Sequence, residues 1–175
     1  MELEVKDRLI LYNQYEILKN LNSNNKEKYE LNQVILLNGY GEYYEDLLKG
    51  MSDDIDIRIS EHVENVLHLF RALLNSYNNL SKEEKDKINE EDFAFKGYDS
   101  KNEEEYYKYA YFLIYRIGKY KDLASVKGFK IESNSPKIKT YKDLLLKEEE
   151  VKYGSIDEFT VDSILQLINQ YKDSL

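Results

Sequence analysis

Proline occurs once in these 175 residues, at Pro136, so almost nothing forbids continuous helix anywhere else. The seven glycines fall almost entirely between segments whose apolar residues recur at helical spacing. That punctuation predicts an all-α chain: a single helical domain over 1–175, about six to eight helices packed as an irregular bundle. A chain of this length buries about 70% of its unfolded surface, enough for a core without covalent staples. It has to manage without them, since there is no cysteine for a disulfide or a thiolate metal site. The start, Met-Glu-Leu-Glu-Val-Lys-Asp, is acidic and lacks the apolar stretch of a secretory signal. The longest apolar run, Tyr109 to Tyr115, is far too short to span a bilayer. The expectation is a cytoplasmic protein with no membrane role.

Charge narrows the partners. Thirty-four acidic side chains against 25 basic ones leave a net charge of −9, and lysines such as Lys26, Lys82, Lys119 and Lys127 are scattered. Binding nucleic acid draws on clustered Lys and Arg that displace counterions, so no direct nucleic-acid contact is expected.

The first helix is expected over about Val5 to Asn20. Leu3, Ile10, Leu11, Ile17, Leu18 and Leu21 share one face, and Val5, Leu9 and Tyr12 form a strip on the reverse. A helix apolar on two sides is central to a bundle or shared with a second chain. Gln14, on the apolar face, reads as a buried amide that needs partners. A second helix runs from Lys26 to Asn38 and stops at Gly39. A short helix follows through Tyr44 and Leu48, and Ser52 to Arg58 permits an extended piece. Ser60 is the expected cap of the next helix, whose face is Val63, Val66, Leu67, Phe70, Leu73, Leu74 and Tyr77. Capping boxes are expected at Ser81 with Glu84, Ser100 with Glu103, and Ser155 with Glu158. Ser135 before Pro136 marks a further start. The final helix, about Thr160 to Lys172, buries Ile164, Leu167, Ile168 and Tyr171.

The candidate sites are few. On the helix from Lys101 to Tyr120, Tyr106, Tyr109, Leu113, Ile117 and Tyr120 lie on one side, and Tyr107, Tyr111 and Ile114 on the other. Arg116 beside Tyr109 and Tyr120 offers an anion-binding or cation–π group, and Gly118 removes a side chain where another backbone approaches. Packing at the edge of the core accounts equally for these tyrosines. His62 and His68 are six residues apart, on opposite sides of their helix, so they do not chelate one metal as an i, i+4 pair would; both read as satisfied boundary histidines. Glu103 to Glu105 and Glu148 to Glu150 read as solvated faces. No nucleophile arrangement and no cofactor motif is present.

Four blocks carry a resemblance to a known family: Arg8-Leu-Ile-Leu-Tyr-Asn-Gln-Tyr15, Gly39-Tyr-Gly41, Ala72-Leu-Leu-Asn-Ser-Tyr-Asn-Asn-Leu80, and Phe95 to Tyr120 continued by Gly128-Phe129, Pro136 and Tyr141. They resemble the YfbU family of small bacterial proteins, in the same order along nearly the whole chain. This sequence departs from the family pattern at Arg71, where the family has histidine, at Tyr77, where it has tryptophan, and at Arg116, where it has an apolar residue. The resemblance implies an all-helical domain and carries no established activity. The family's occasional pairing with a helix-turn-helix DNA-binding domain implies ligand sensing.

Two functions remain open. One is a non-enzymatic ligand-sensing or protein-interaction module, homodimeric, without cofactor. Its ligand region is expected around Asn13 and Gln14 together with Tyr98, Asp99, Tyr106, Tyr109 and Arg116, where Tyr98 and Tyr106 wall a cavity. The other is an enzyme acting on a small or phosphate-containing substrate through a metal held by Asp99 and the Glu103 to Glu105 carboxylates.

Overall fold

Val63, Val66, Leu67, Phe70, Leu73 and Leu74 recur at intervals of three and four, which places them on one stripe of a helix. The computed structural model, which describes residues 2–152 and 158–173, buries all six on its longest helix. The described residues form eight α-helices: α1 (Val5–Leu21), α2 (Lys26–Asn38), α3 (Tyr44–Leu47), α4 (Ile57–Asn79), α5 (Lys82–Lys85), α6 (Glu104–Tyr111), α7 (Ile138–Val151) and α8 (Val161–Asp173). They divide into two compact units, Met1–Asp54 and Ile55–Leu175.

In the second unit α4 is the centre of an aromatic core. Phe70 meets Phe95, Tyr141 and Tyr171 edge-on at 5.5, 5.7 and 5.5 Å between ring centroids, and Phe95 stacks on Tyr141 at 5.4 Å. Offset and edge-to-face pairs of this kind add about 0.5–1.5 kcal/mol each beyond the area they bury. The helix begins where Asp56 accepts the Arg58 N–H at 2.8 Å. Ser60, expected as the cap, instead donates its hydroxyl to the Ile57 carbonyl from within the first turn. The extended piece expected over Ser52 to Arg58 does not form: 52–56 have no regular structure, and Ile57 and Arg58 already belong to α4. α8 buries Ile164, Leu167, Ile168 and Tyr171 as its periodicity predicts, entered through Thr160, whose hydroxyl accepts the Ser163 N–H.

Two residues of parallel strand pairing, Tyr98–Asp99 (β1) with Glu132–Ser133 (β2), interrupt the helices. Gly97, just before β1, is required there. Its φ is +76°, and a Cβ would stand 2.3 Å from the Ile131 carbonyl carbon. The Tyr141 hydroxyl ties this turn to α7, donating to the Gly97 carbonyl at 3.0 Å and accepting the Lys96 N–H at 3.3 Å.

The tyrosine-rich helix is shorter than its periodicity suggests. α6 ends at Tyr111 and widens into one π-helical turn, Phe112–Arg116, before the Ile117 N–H closes on the Phe112 carbonyl. Gly118 serves that ending and not a close approach. At φ +75° its Cβ would meet only the Lys121 Cδ, at 3.9 Å.

The first unit is a helical hairpin. α1 turns Arg8, Leu11, Tyr12, Tyr15 and Lys19, all half-buried, to one side. The buried amide that joins it to α2 belongs to Gln33, which donates to the Tyr12 carbonyl and to Glu16 and accepts from Lys19. Gly39 stops α2 in the left-handed conformation, as expected. Arg8 lies against it and donates to the Leu36 carbonyl at 3.1 Å. Two of the sequence blocks, Arg8 to Tyr15 and Gly39 to Gly41, therefore meet in one corner.

Candidate functional site

Asp99 and Glu103 were candidate metal ligands, but their oxygens are occupied by donors of the chain itself. Asp99 Oδ1 accepts the N–H groups of Lys101 and Asn102 at 2.9 and 3.2 Å, and Oδ2 accepts the Asn102 side-chain amide at 2.6 Å. These bonds hold the Asp99 carboxyl below its ordinary range, the Asn102 side chain being the largest influence. Asp99 thus caps the turn into α6, one residue ahead of Ser100, whose hydroxyl bonds to Glu132 instead. Glu103 is not part of a solvated face. Buried at 4% exposure, it accepts the Asp99 N–H at 3.0 Å through Oε2, and the Lys137 and Ile138 N–H groups at 2.6 and 2.7 Å through Oε1. One carboxylate from the entrance of α6 thereby caps α7, where two backbone donors at a helix N-terminus favour a negative charge. Glu148 is buried as well, paired with Lys152. The capping box at Ser81 forms as expected, while the one at Ser155 lies outside the described residues. No cluster of three or more histidine or acidic side chains able to hold a metal occurs among the described residues.

The remaining candidates are shared between the two units. Asn13 and Gln14 belong to the first unit, and Tyr98, Asp99, Tyr106, Tyr109 and Arg116 to the second. Gln14 is exposed and is not the buried amide its position suggested. Asn13 lines a groove of about 330 Å³ within the hairpin, beside Val5, Leu9 and Leu37. Tyr98 is fully buried, and its hydroxyl has no partner. Tyr109 donates to Glu64 at 3.1 Å, and Glu64 also pairs with Lys119. Arg116 is exposed; the cations over the Tyr120 ring are Arg71, at 4.5 Å, and Lys119, at 5.3 Å.

Tyr106 is the candidate that borders a substantial cleft, about 570 Å³ in volume, between the start of α4, α6 and α7. Arg58, Ile59 and His62 line it from α4, and Lys142 and Leu145 from α7. Asp56 is bound on two sides by Arg58, whose guanidinium and then backbone N–H bring its carboxyl down to about 2. His62 packs edge-on against Tyr106 at 5.6 Å and 6.4 Å from Tyr98. Burial, and then the charge of Lys142, push the imidazole down to about 4. Its Nε2 is buried and unpartnered, contrary to the expectation of a satisfied histidine. Arg58, Ile59 and His62 share a face at i, i+1 and i+4, and that spacing was available in the sequence. Lys142 and Leu145 come from 80 residues further on, and no local pattern announces them.

The fold and its sites define a small all-helical protein, built on one amphipathic helix and an aromatic core, with an open cleft beside that helix. No helix among the described residues is long and apolar enough to cross a membrane. The chain belongs to the YfbU family: the YfbU domain model matches residues 1–170. It is 34% identical over 122 residues to the UPF0304 protein of Pasteurella multocida (strain Pm70), an alignment spanning 70% of this chain and 73% of that protein. The UPF0304 protein of Histophilus somni (strain 2336) matches with the same identity and coverage.

Proposed function

We propose that this protein is a non-enzymatic interaction module that works as a homodimer, paired through the outer stripe of α1. The observation that carries the reading is that this 17-residue helix has no buried residue although it is apolar on two sides. Ile10, Ile17 and Leu21, opposite the side that carries Arg8, Tyr12 and Lys19, are 47, 59 and 78% exposed. Apolar residues spaced at three and four along one helix form the seam by which helices pair. A two-fold dimer covers such a stripe with its own copy and leaves no open end. Gln14 stands in the middle of the stripe. A lone polar residue in such a seam sets register and partner number at some loss of stability, a role that explains an amide among exposed isoleucines.

Sedimentation equilibrium tests this. The expected result is a dimer at micromolar concentration that Ile17→Asp converts to monomer while the far-ultraviolet spectrum is kept. A wild-type monomer up to about 100 μM, a concentration at which specific dimers of ordinary interface size are formed, would refute the reading.

A further inference from the structure

We propose that the cleft between the start of α4, α6 and α7 binds a small organic monocarboxylate with an aromatic or otherwise flat apolar body. The carboxylate sits on Lys142 and Arg58, and the body lies against Tyr106, Ile59 and Leu145. The inference is independent of the homodimer, since every residue it uses lies in the second unit.

The volume, about 570 Å³, falls in the range of small-ligand sites and exceeds what one ring with a short substituent needs. Its chemistry is uneven in an informative way. Some exposed lysines, such as Lys108, Lys119, Lys127 and Lys172, have a carboxylate partner. Lys142 has no ion pair among the described residues, and its charge reaches the imidazole of His62. On a chain of net charge −9, an ammonium left uncompensated at the mouth of a cleft is an anion subsite. Arg58 can add directional N–H donors, while Asp56 already balances its charge. Asp56 and Glu61 both border the cleft. The two acids offset the two bases, so one carboxylate would bring the cleft to −1 and a phosphate dianion to −2, which favours the carboxylate.

The walls select the rest of the ligand. Tyr106 is half-buried and presents an aromatic surface, with Ile59 and Leu145 as apolar neighbours. Behind Tyr106 stand two buried polar atoms without partners, His62 Nε2 and the Tyr98 hydroxyl, on rings within 6.4 Å of each other. Native interiors satisfy nearly all such atoms, so the exception at His62, which lines the cleft, is a second and independent sign of a functional site. A neutral imidazole also presents either a donor or an acceptor to a polar substituent of the ligand.

Benzoate is the probe, titrated into the intact chain and followed by the ring carbon-bound proton resonances of the two histidines. His68 lies outside the lining of the cleft and serves as the internal reference. The expected result is a saturable shift at His62 with none at His68. Benzyl alcohol, which has the ring without the charge, should bind at least about ten-fold more weakly, as should benzoate to Lys142→Gln. Lys142 is exposed, so its replacement leaves the fold intact, and the far-ultraviolet spectrum of the variant checks this. No shift at His62 up to tens of millimolar benzoate would overturn the proposal, and so would unchanged affinity in Lys142→Gln. Inorganic phosphate matching or exceeding benzoate would replace the carboxylate site by a general anion site. None of these results bears on the oligomeric state, so the two proposals fail separately.

Discussion

Removing the Glu103 carboxylate tests whether one side chain joins the entrance of α6 to the start of α7. It accepts three backbone N–H groups, from Asp99, Lys137 and Ile138, at 3.0, 2.6 and 2.7 Å. Asp99 and Lys137 are buried and Ile138 is half-buried. A hydrogen bond to a charged group contributes about 1.5–3 kcal/mol, and a buried donor left without an acceptor loses about 1–3 kcal/mol of its hydration. Water can reach the Ile138 amide more readily than the other two. We therefore expect Glu103→Ala to lose about 3–5 kcal/mol, near the value for removing one partner of a buried charged pair. Glu103→Gln keeps the shape and one acceptor oxygen, but sets its amide N–H against one backbone donor, so about 1–3 kcal/mol should be lost. Glu104→Ala is the control. Its ion pair with Lys108 joins two exposed side chains and should cost no more than about 0.5 kcal/mol. Urea denaturation followed by far-ultraviolet ellipticity measures all three, with an unchanged slope showing that the denatured state is unaffected. A loss below about 1 kcal/mol in Glu103→Ala, or a loss equalled by Glu104→Ala, would refute the reasoning.

Gly97→Ala should destabilise the protein by more than about 3 kcal/mol, because it meets backbone at 2.3 Å as well as a positive φ, whereas Gly118→Ala meets the φ alone and should lose about 1–2 kcal/mol; thermal melts compare the two. Phe70→Ala should lose about 3–5 kcal/mol, since three aromatic partners lose contact at once and cannot all collapse into the space, as urea melts will read. His62, held at about 4 in the folded chain and at an ordinary 6.5 when unfolded, binds its proton in the unfolded state first as pH falls. Its contribution to stability is full above pH 6.5 and is lost between 6.5 and 4, so His62→Asn should flatten the decline of the urea midpoint across that window, and an unaltered slope would contradict the assignment.

The helices were legible in the sequence where a clean apolar stripe marks the buried face, even where, as at Ser60, the expected cap was not the one used. α4 and α8 bury the faces their spacing predicts, and the Ser81 to Glu84 box forms because both halves sit in the same turn. The tyrosine-rich helix was read too long. Its apolar pattern runs past Tyr111 without a break, and side-chain spacing gives no sign that the backbone widens into a π turn. Gln14 shows the same limit on α1. Its azimuth among isoleucines was correctly read, but whether that stripe faces inward depends on what packs there, and the amide that the hairpin encloses is Gln33. Of the expected ligand residues, Tyr106 borders the cleft, Tyr98 lies fully buried, and Arg116 is exposed, with Arg71 in the cation–π position over Tyr120.

By itself the sequence determined the helical class, the absence of any covalent staple, and the stop of α2 at Gly39, because proline, glycine and cysteine act through the backbone within a few residues. Only the tertiary structure decided which carboxylates are buried and what they do. Glu103, Glu104 and Glu105 are chemically alike and adjacent, yet the first caps a helix 34 residues away while the other two face solvent. Tertiary structure also made the cleft, by bringing Lys142 and Leu145 beside Arg58 and His62 across some 80 residues of chain. Periodicity reports only which side of a helix a residue occupies. The partner that side meets is set by packing between distant segments, where burial and hydrogen-bond satisfaction are decided together.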